Sequence, residues 1–290
     1  MKTSRTAGTV VLFCPPDSVS KNIESYLAQI ELLYVFDNSP SHSQELIATI
    51  RQLPKVKYFT KAQNVGIAGA LNIATKCAID DGFDYLLTMD QDSIAPEGMV
   101  QGMISYFDDD PMLAMVTPFH QDRHAPKPLP NVEVEPIVVA MTSGSMLRLS
   151  AFQAVGDFME KLFIDFVDTE YCLRLYTKGY HILRANSVVL SHSLGNFTSK
   201  RFLGRTVYPY NHSPIRLYYQ SRNRFFLRRL YGKAFPEYFR QDLGMFFGAI
   251  VKILLFEDQS CQKLSMIVRG LVAMWRNDFT ILPIPADHSS

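Results

Sequence analysis

Three acidic groups in this chain stand at spacings that could do chemistry. Asp90-Gln91-Asp92 follows an apolar run, Tyr85-Leu86-Leu87-Thr88-Met89, and sets two carboxylates on one turn. Both can face a divalent cation that bridges two phosphates, since hard cations such as Mg2+ and Mn2+ prefer oxygen ligands. A bare Asp-x-Asp triplet also occurs on ordinary solvated turns, so its weight comes from its place at the end of a strand. Asp37-Asn38-Ser39-Pro40 likewise closes an apolar run, Leu32–Phe36. The third group, Asp165, Asp168 and Glu170, precedes or opens a helix that also contains Cys172 and Arg174. A positioned carboxylate is a sufficient base for an attacking hydroxyl, and Asp168 is the candidate. These residues also suit structural work, because Asp at a helix start caps it and Glu170 with Arg174 makes an i,i+4 ion pair. His192 ends a later apolar run; taken alone, a histidine there is more often a packing residue than a ligand.

Such groups meet only if a sheet brings them together. The first hundred residues alternate β-type runs with helical patterns: Thr9–Phe13 then Val19–Ile30, Leu32–Phe36 then Ser43–Leu53, Val56–Phe59 then Gly66–Ile79, and Tyr85–Met89. This alternation predicts an α/β fold with a mostly parallel central sheet flanked by helices. The ligand belongs at the carboxyl edge of such a sheet, and both acidic turns project from that edge. Further on, the pattern predicts a helix over Pro96–Phe107, a strand over Leu113–Thr117 and a polar loop from His120 to Pro136. A second β/α block follows, with Val138–Leu149, a helix at Ala151–Val155, a loop to Phe166, a helix over Asp168–Lys178 and a strand over Tyr180–Ser191.

The chain has 290 residues, 47% hydrophobic and 20% charged, within the ordinary range for a globular protein with a substantial core. Cys14, Cys77, Cys172 and Cys261 are scattered, without the clustering of a disulfide framework or a zinc site, which implies a reducing, cytoplasmic setting. The apolar run Val10 to Cys14 is too short for a signal-peptide core and ends in Pro15-Pro16. Charge is segregated: residues 1–200 carry 16 Lys and Arg against 22 Asp and Glu, and residues 201–290 carry 13 against 6. The sequence therefore divides into an α/β domain over 1–214 and a helical, basic region over 215–290. Arginines among aromatics around Arg222 and Arg224 could bind RNA, but their apolar spacing favours a packed helix, and no nucleic-acid partner is expected. Gly244–Phe256 is apolar except for Lys252 yet shorter than the roughly 18–20 residues that span a bilayer. Gln262–Arg276 is amphipathic and carries Trp275, as in a helix that lies on a membrane surface. Packing on the domain or in a homodimer suits the same pattern.

Together these positions resemble bacterial family 2 glycosyltransferases of the GT-A fold, in particular the rhamnosyltransferases of O-antigen and capsule assembly. The resemblance rests on Val35-Phe36-Asp37-Asn38-Ser39, Asn64-Val65-Gly66-Ile67-Ala68 with Ala70-Leu71-Asn72, Met89-Asp90-Gln91-Asp92-Ser93 and Thr142-Ser143-Gly144-Ser145. It continues through Phe163-Ile164-Asp165, Glu170-Tyr171-Cys172-Leu173-Arg174, Ser191-His192, and Tyr218-Tyr219 with Arg222-Asn223. It implies that Asp37 and Asn64 line the nucleotide pocket, that Asp90, Gln91 and Asp92 lie at the donor diphosphate, and that Asp90, Asp92 and His192 hold Mg2+ or Mn2+. It also implies that Asp168 is the base of an inverting displacement. Many members have Glu-Asp where this chain has Val167-Asp168, which leaves open whether Asp165 or Glu170 supplies the missing acceptor contact; Arg222 is a further candidate for contacting the acceptor or supporting those residues. The implied donor is dTDP-L-rhamnose, with a UDP-sugar as the alternative. The implied acceptor is a lipid-linked saccharide at the cytoplasmic membrane face, where the basic C-terminal region would give peripheral contact.

Other classes fit less well. In haloacid dehalogenase-type phosphatases the nucleophilic Asp-x-Asp follows the first strand, whereas here three βα units precede Asp90. A dinucleotide oxidoreductase lacks its glycine fingerprint, because Cys14-Pro15-Pro16-Asp17 follow the first strand. A non-catalytic sugar-nucleotide-binding paralogue is the remaining alternative, motivated by Val167.

Overall fold

The computed structural model describes residues 4–61, 63–108, 110–122, 128–192, 200–202, 205–209 and 211–282, with backbone alone at 122, 192, 200–202 and 205–206. Eight strands form one sheet. They are β1 (Thr6–Leu12), β2 (Leu32–Asp37), β3 (Val56–Thr60), β4 (Tyr85–Asp90), β5 (Leu113–Asp122), β6 (Val134–Pro136), β7 (Ser145–Arg148) and β8 (His181–His192), in the order β3-β2-β1-β4-β7-β5-β8-β6. The β3-β2-β1-β4 half is parallel, β7 runs antiparallel to both β4 and β5, β8 is parallel to β5, and β6 closes the edge antiparallel to β8.

Alternating side chains explain why helices cover both faces. On one face Val10, Leu12, Leu33, Val35 and Leu87 pack under α1 (Val19–Leu27), α2 (Gln44–Gln52) and α4 (Met99–Ile104). On the other, Ala7, Tyr34 and Leu86 meet Ala74 and Ala78 of α3 (Gly66–Asp80) and Leu149 of α5 (Leu149–Val155). The period of two in the strands turns their apolar runs into two cores.

The sheet is larger than the pattern predicts. The expected loop from His120 to Pro136 is partly strand: β5 continues to Asp122 and β6 adds Val134–Pro136. The polar edge strand is held by cross-strand charge, with Arg184 Nη2 donating to Glu135 Oε1 at 2.6 Å and Asn186 Nδ2 donating to the same oxygen at 2.8 Å. Conversely, the strand expected over Val138–Leu149 is confined to Ser145–Arg148. Gly144, at φ +73°, makes the turn before it, and a methyl there would stand 2.6 Å from Leu190 Cδ2.

The chain divides into two compact units, 1–163 with 167–193, and 164–166 with 194–290. The first holds the sheet, its helices and α6 (Val167–Thr177). The second holds the hairpin of β9 (Lys200–Phe202) and β10 (Arg205–Val207), and helices α7 (Pro214–Tyr231), α8 (Pro236–Phe256) and α9 (Ser260–Trp275). Proline opens both α7 and α8, where its missing N–H costs nothing. α8 therefore starts eight residues before the apolar run at Gly244. No helix among the described residues is long and apolar enough to cross a membrane.

Candidate active site

Strand register brings the first two acidic turns to one edge. Leu12 pairs with Asp37, and Val11, on the same strand, pairs with Asp90. The two aspartates thus flank the carboxyl end of β1, about two strand spacings or roughly 10 Å apart. The β1–α1 loop is tied to both turns: Phe13 N donates to Gln91 Oε1 at 2.9 Å, and Cys14 N donates to Ser39 Oγ at 2.8 Å.

Asp37 is buried at 4% exposure, and its carboxylate is fully framed. Ser39 N donates to Oδ1 at 2.8 Å, while Tyr58 OH at 2.5 Å and His42 Nδ1 at 2.9 Å meet Oδ2. Burial by itself would raise this carboxyl, but the hydrogen bonds from Ser39, Tyr58 and His42 outweigh it and hold the group below the ordinary range. A cleft beside it is walled by Leu12, Cys14, Leu46, Ile50 and Tyr58. Asn64 accepts from Gly66 N at 2.8 Å, and Asn38 clamps the same loop by accepting from Val65 N at 3.1 Å and donating to Gly66 O at 3.0 Å.

On the β4 turn, Asp90 is half-buried and Asp92 exposed. Gln91 turns its amide into the Phe13 backbone, accepting at 2.9 Å and donating at 3.3 Å, which braces the turn. Ser143 supports the turn from below: its hydroxyl accepts from Asp90 N at 3.3 Å and lies 2.7 Å from Ser93 Oγ, with both serines buried. Ile94 bridges Ser191 in antiparallel fashion, which brings the end of β8, and hence the backbone of His192, beside the turn. The side chain of His192, the expected third metal ligand, lies outside the described residues. Among the described residues no cluster of three or more metal-ligating side chains forms. The donor set that is described, two carboxylates on one turn, has the hard-oxygen chemistry that suits Mg2+ or Mn2+.

Asp168 occupies the first turn of α6, where the helix dipole favours a carboxylate. Its Oδ1 accepts from Thr169 N at 2.7 Å, and the residue lines a small cavity with Thr88, Ala140, Thr142 and Tyr171. Thr88 belongs to β4, and its hydroxyl donates to Thr142 O. One cavity thus joins the strand that carries Asp90 to the helix that carries Asp168. Cys172, on the same helix, is buried, and burial pushes its thiol up to about 12, which removes it as a nucleophile.

Two of the residues expected at the acceptor are buried. Glu170 is fully buried, and both its oxygens are held at 2.9 Å by Arg174, which also donates to Val155 O and Asp157 O. Through Arg174 it pins α6 to the turn after α5. Arg222, in the second unit, is likewise 0% exposed, with its guanidinium 4.8 to 5.6 Å from the ring centroids of Tyr218, Tyr219 and Phe279. It is a core cation on aromatic faces. Asp165 also belongs to the second unit, where Arg216 and Gln220 approach its carboxylate at 3.4 Å and Asn223 Nδ2 donates to its carbonyl at 3.0 Å. A cleft of the second unit, walled by Leu217, Phe246, Ile250 and Ile267, contains none of the sheet-edge acids.

The profile of the glycosyl transferase family 2 domain matches residues 11–155, half of the chain, from β1 through both acidic turns to the end of α5. The chain belongs to glycosyl transferase family 2. It is similar to the dTDP-rhamnosyl transferase RfbF of Shigella flexneri, with 27% identity over 229 residues, covering 72% of this chain and 76% of that protein. Two solved structures share the GT-A fold. A GalNAc-T7 structure with UDP, GalNAc and Mn2+ superposes at a TM-score of 0.62, with 12% identity over 82% of this family 2 chain, which spans only 50% of that protein. TarS 1–349 of S. aureus in complex with UDP-GlcNAc gives a TM-score of 0.54, with 13% identity over 92% of this chain and 71% of that one. Residues without a signal in the sequence also hold the two acidic turns of this family 2 chain. Tyr58 on β3 and His42 in the loop just past the Asp37–Pro40 turn fix Asp37, and Asn22 donates to Gln91 O at 2.9 Å.

Proposed function

We propose that this protein transfers a hexose, L-rhamnose from dTDP-L-rhamnose, to a saccharide acceptor with inversion at the anomeric carbon, and that the acceptor is a lipid-linked intermediate of cell-surface polysaccharide assembly. The observation that carries the reading is the shared edge: Asp37 and Asp90 flank the end of β1, and the cavity bearing Asp168 abuts the β4 strand that ends in Asp90. The similarity to a dTDP-rhamnosyl transferase supports the donor.

In this reading Asp37 and the Asn64 loop receive the nucleoside, and the Asp90–Asp92 turn faces the diphosphate. Asp90, Asp92 and His192 would hold Mg2+ or Mn2+, which when bound offsets the charge on the departing diphosphate. Asp168 takes the proton of the acceptor hydroxyl as its oxygen bonds to the anomeric carbon. The bond from that carbon to the diphosphate oxygen breaks on the opposite face, and the nucleoside diphosphate leaves with the electron pair. No covalent enzyme intermediate is required. A UDP-sugar donor is the second reading, favoured by the UDP and UDP-GlcNAc held by the two superposed structures.

Calorimetric titration with dTDP-rhamnose and with UDP-sugars, each with Mn2+ and with EDTA, tests this. Metal-dependent binding of dTDP-rhamnose alone is expected. Binding of a UDP-sugar in its place would transfer the assignment to the second reading, and binding of neither to folded protein would reject both.

A further inference from the structure

The second unit turns two apolar faces outward. In α8, Phe247, Val251, Leu254 and Leu255 recur at i, i+4, i+7 and i+8 and are exposed, Phe247 to 60%. They lie opposite the buried face of Phe239, Asp242, Phe246 and Ile253. In α9, Val268, Val272 and Trp275 recur at i, i+4 and i+7, opposite Lys263, Ile267, Gly270 and Ala273, and Trp275, the one tryptophan of the chain, is exposed to 77%. Neither stripe is used by the packing of α7, α8 and α9, which runs through Leu217, Phe246, Ile253 and Ile267.

Charge decides what covers them. Two acidic residues of this region are buried in internal ion pairs, Asp242 with Arg224 at 2.9 Å and Glu257 with Lys263 at 2.7 Å. At the surface Arg228, Arg229, Lys233, Arg240, Arg269 and Arg276 outnumber the exposed acids Asp258, Asp278 and Glu237, the last of which pairs with Arg240. A second copy of the unit would set this cationic surface against itself. An anionic bilayer complements it, with apolar side chains entering the acyl boundary, arginines at the phosphates and Trp275 at the interface, where tryptophan partitions best.

We infer that the outer faces of α8 and α9 dock on an anionic lipid bilayer, lying in its surface without crossing it. This deepens the reading of a lipid-linked acceptor, but its test uses neither donor nor acceptor, so either inference can fail alone.

Trp275 is its own reporter. The full chain is mixed with vesicles of phosphatidylcholine, with or without phosphatidylglycerol, some carrying brominated acyl chains. Emission from Trp275 should shift to the blue and be quenched by the brominated lipid in the anionic vesicles, with partition weakened by salt. Replacing Phe247→Ser with Leu254→Ser, both surface changes, should weaken partition about tenfold or more while circular dichroism stays unchanged. If Trp275 remains open to iodide at saturating anionic vesicles, the inference is wrong. A concentration-dependent dimer that buries Trp275 and excludes vesicles would assign the faces to a second copy instead.

Discussion

A methyl group built on Gly66 stands 2.5 Å from the carbonyl oxygen of Phe163, so the first turn of α3 lies directly against the segment that leads to Asp168. Ile67 N donates to the same oxygen at 2.9 Å, and Phe163, Asp165 and Phe166 all hold positive φ. Gly66→Ala meets both a backbone clash and a φ of +74°, and should cost about 3 kcal/mol or more and lower transfer activity. Gly98→Ala, at φ +73° with open space around it, should cost only about 1 kcal/mol. Thermal or urea unfolding of the two variants separates the clash from the φ strain.

Tyr58→Phe removes the hydroxyl that donates to Asp37 Oδ2. Loss of this charge-assisted bond should destabilise the protein by about 2 kcal/mol at neutral pH. Asp37 is held below its ordinary range, so its contribution is complete above the unfolded value near about 4 and is lost as pH falls through the folded value. In the variant that folded value should rise. A carboxyl carbon titration followed by NMR reads the shift directly, and an unmoved midpoint would show that Tyr58 does not hold the carboxylate.

Arg174→Ala leaves the carboxylate of Glu170 buried without its bidentate partner. The expected loss is about 3–5 kcal/mol, typical of breaking a buried ion pair by removing one member. Glu170→Gln, which keeps the shape, should lose less and leave the KM for the acceptor unchanged. A raised acceptor KM in a stable Glu170→Gln protein would return that residue to the binding site.

Asp168→Asn should leave the fold and donor affinity intact while kcat falls about 10²–10⁴-fold. Calorimetry on the donor and a single-turnover transfer assay check the two halves. Unchanged transfer would remove Asp168 from the mechanism.

The alternation of β and α segments up to Met89, and the acidic turns at Asp37 and Asp90, were legible because apolar period and turn chemistry are local properties of the chain. Parallel pairing then fixes which strand ends meet, so a common edge for the two turns also followed from order alone. What tertiary structure decided was the surroundings of each polar group. Glu170 and Arg222 read as acceptor candidates in sequence, and the fold buries one beside Arg174 and the other among three aromatic rings. Gln91 sits inside the acidic motif but turns to Phe13, while Tyr58 and His42, outside every motif, hold Asp37. Edge strand β6 forms because Arg184 and Asn186 of β8 meet Glu135 across the sheet. Gln91 meets Phe13 across 78 residues, Arg184 meets Glu135 across 49 and Tyr58 meets Asp37 across 21, and pairing at that range is a consequence of packing that no local pattern encodes.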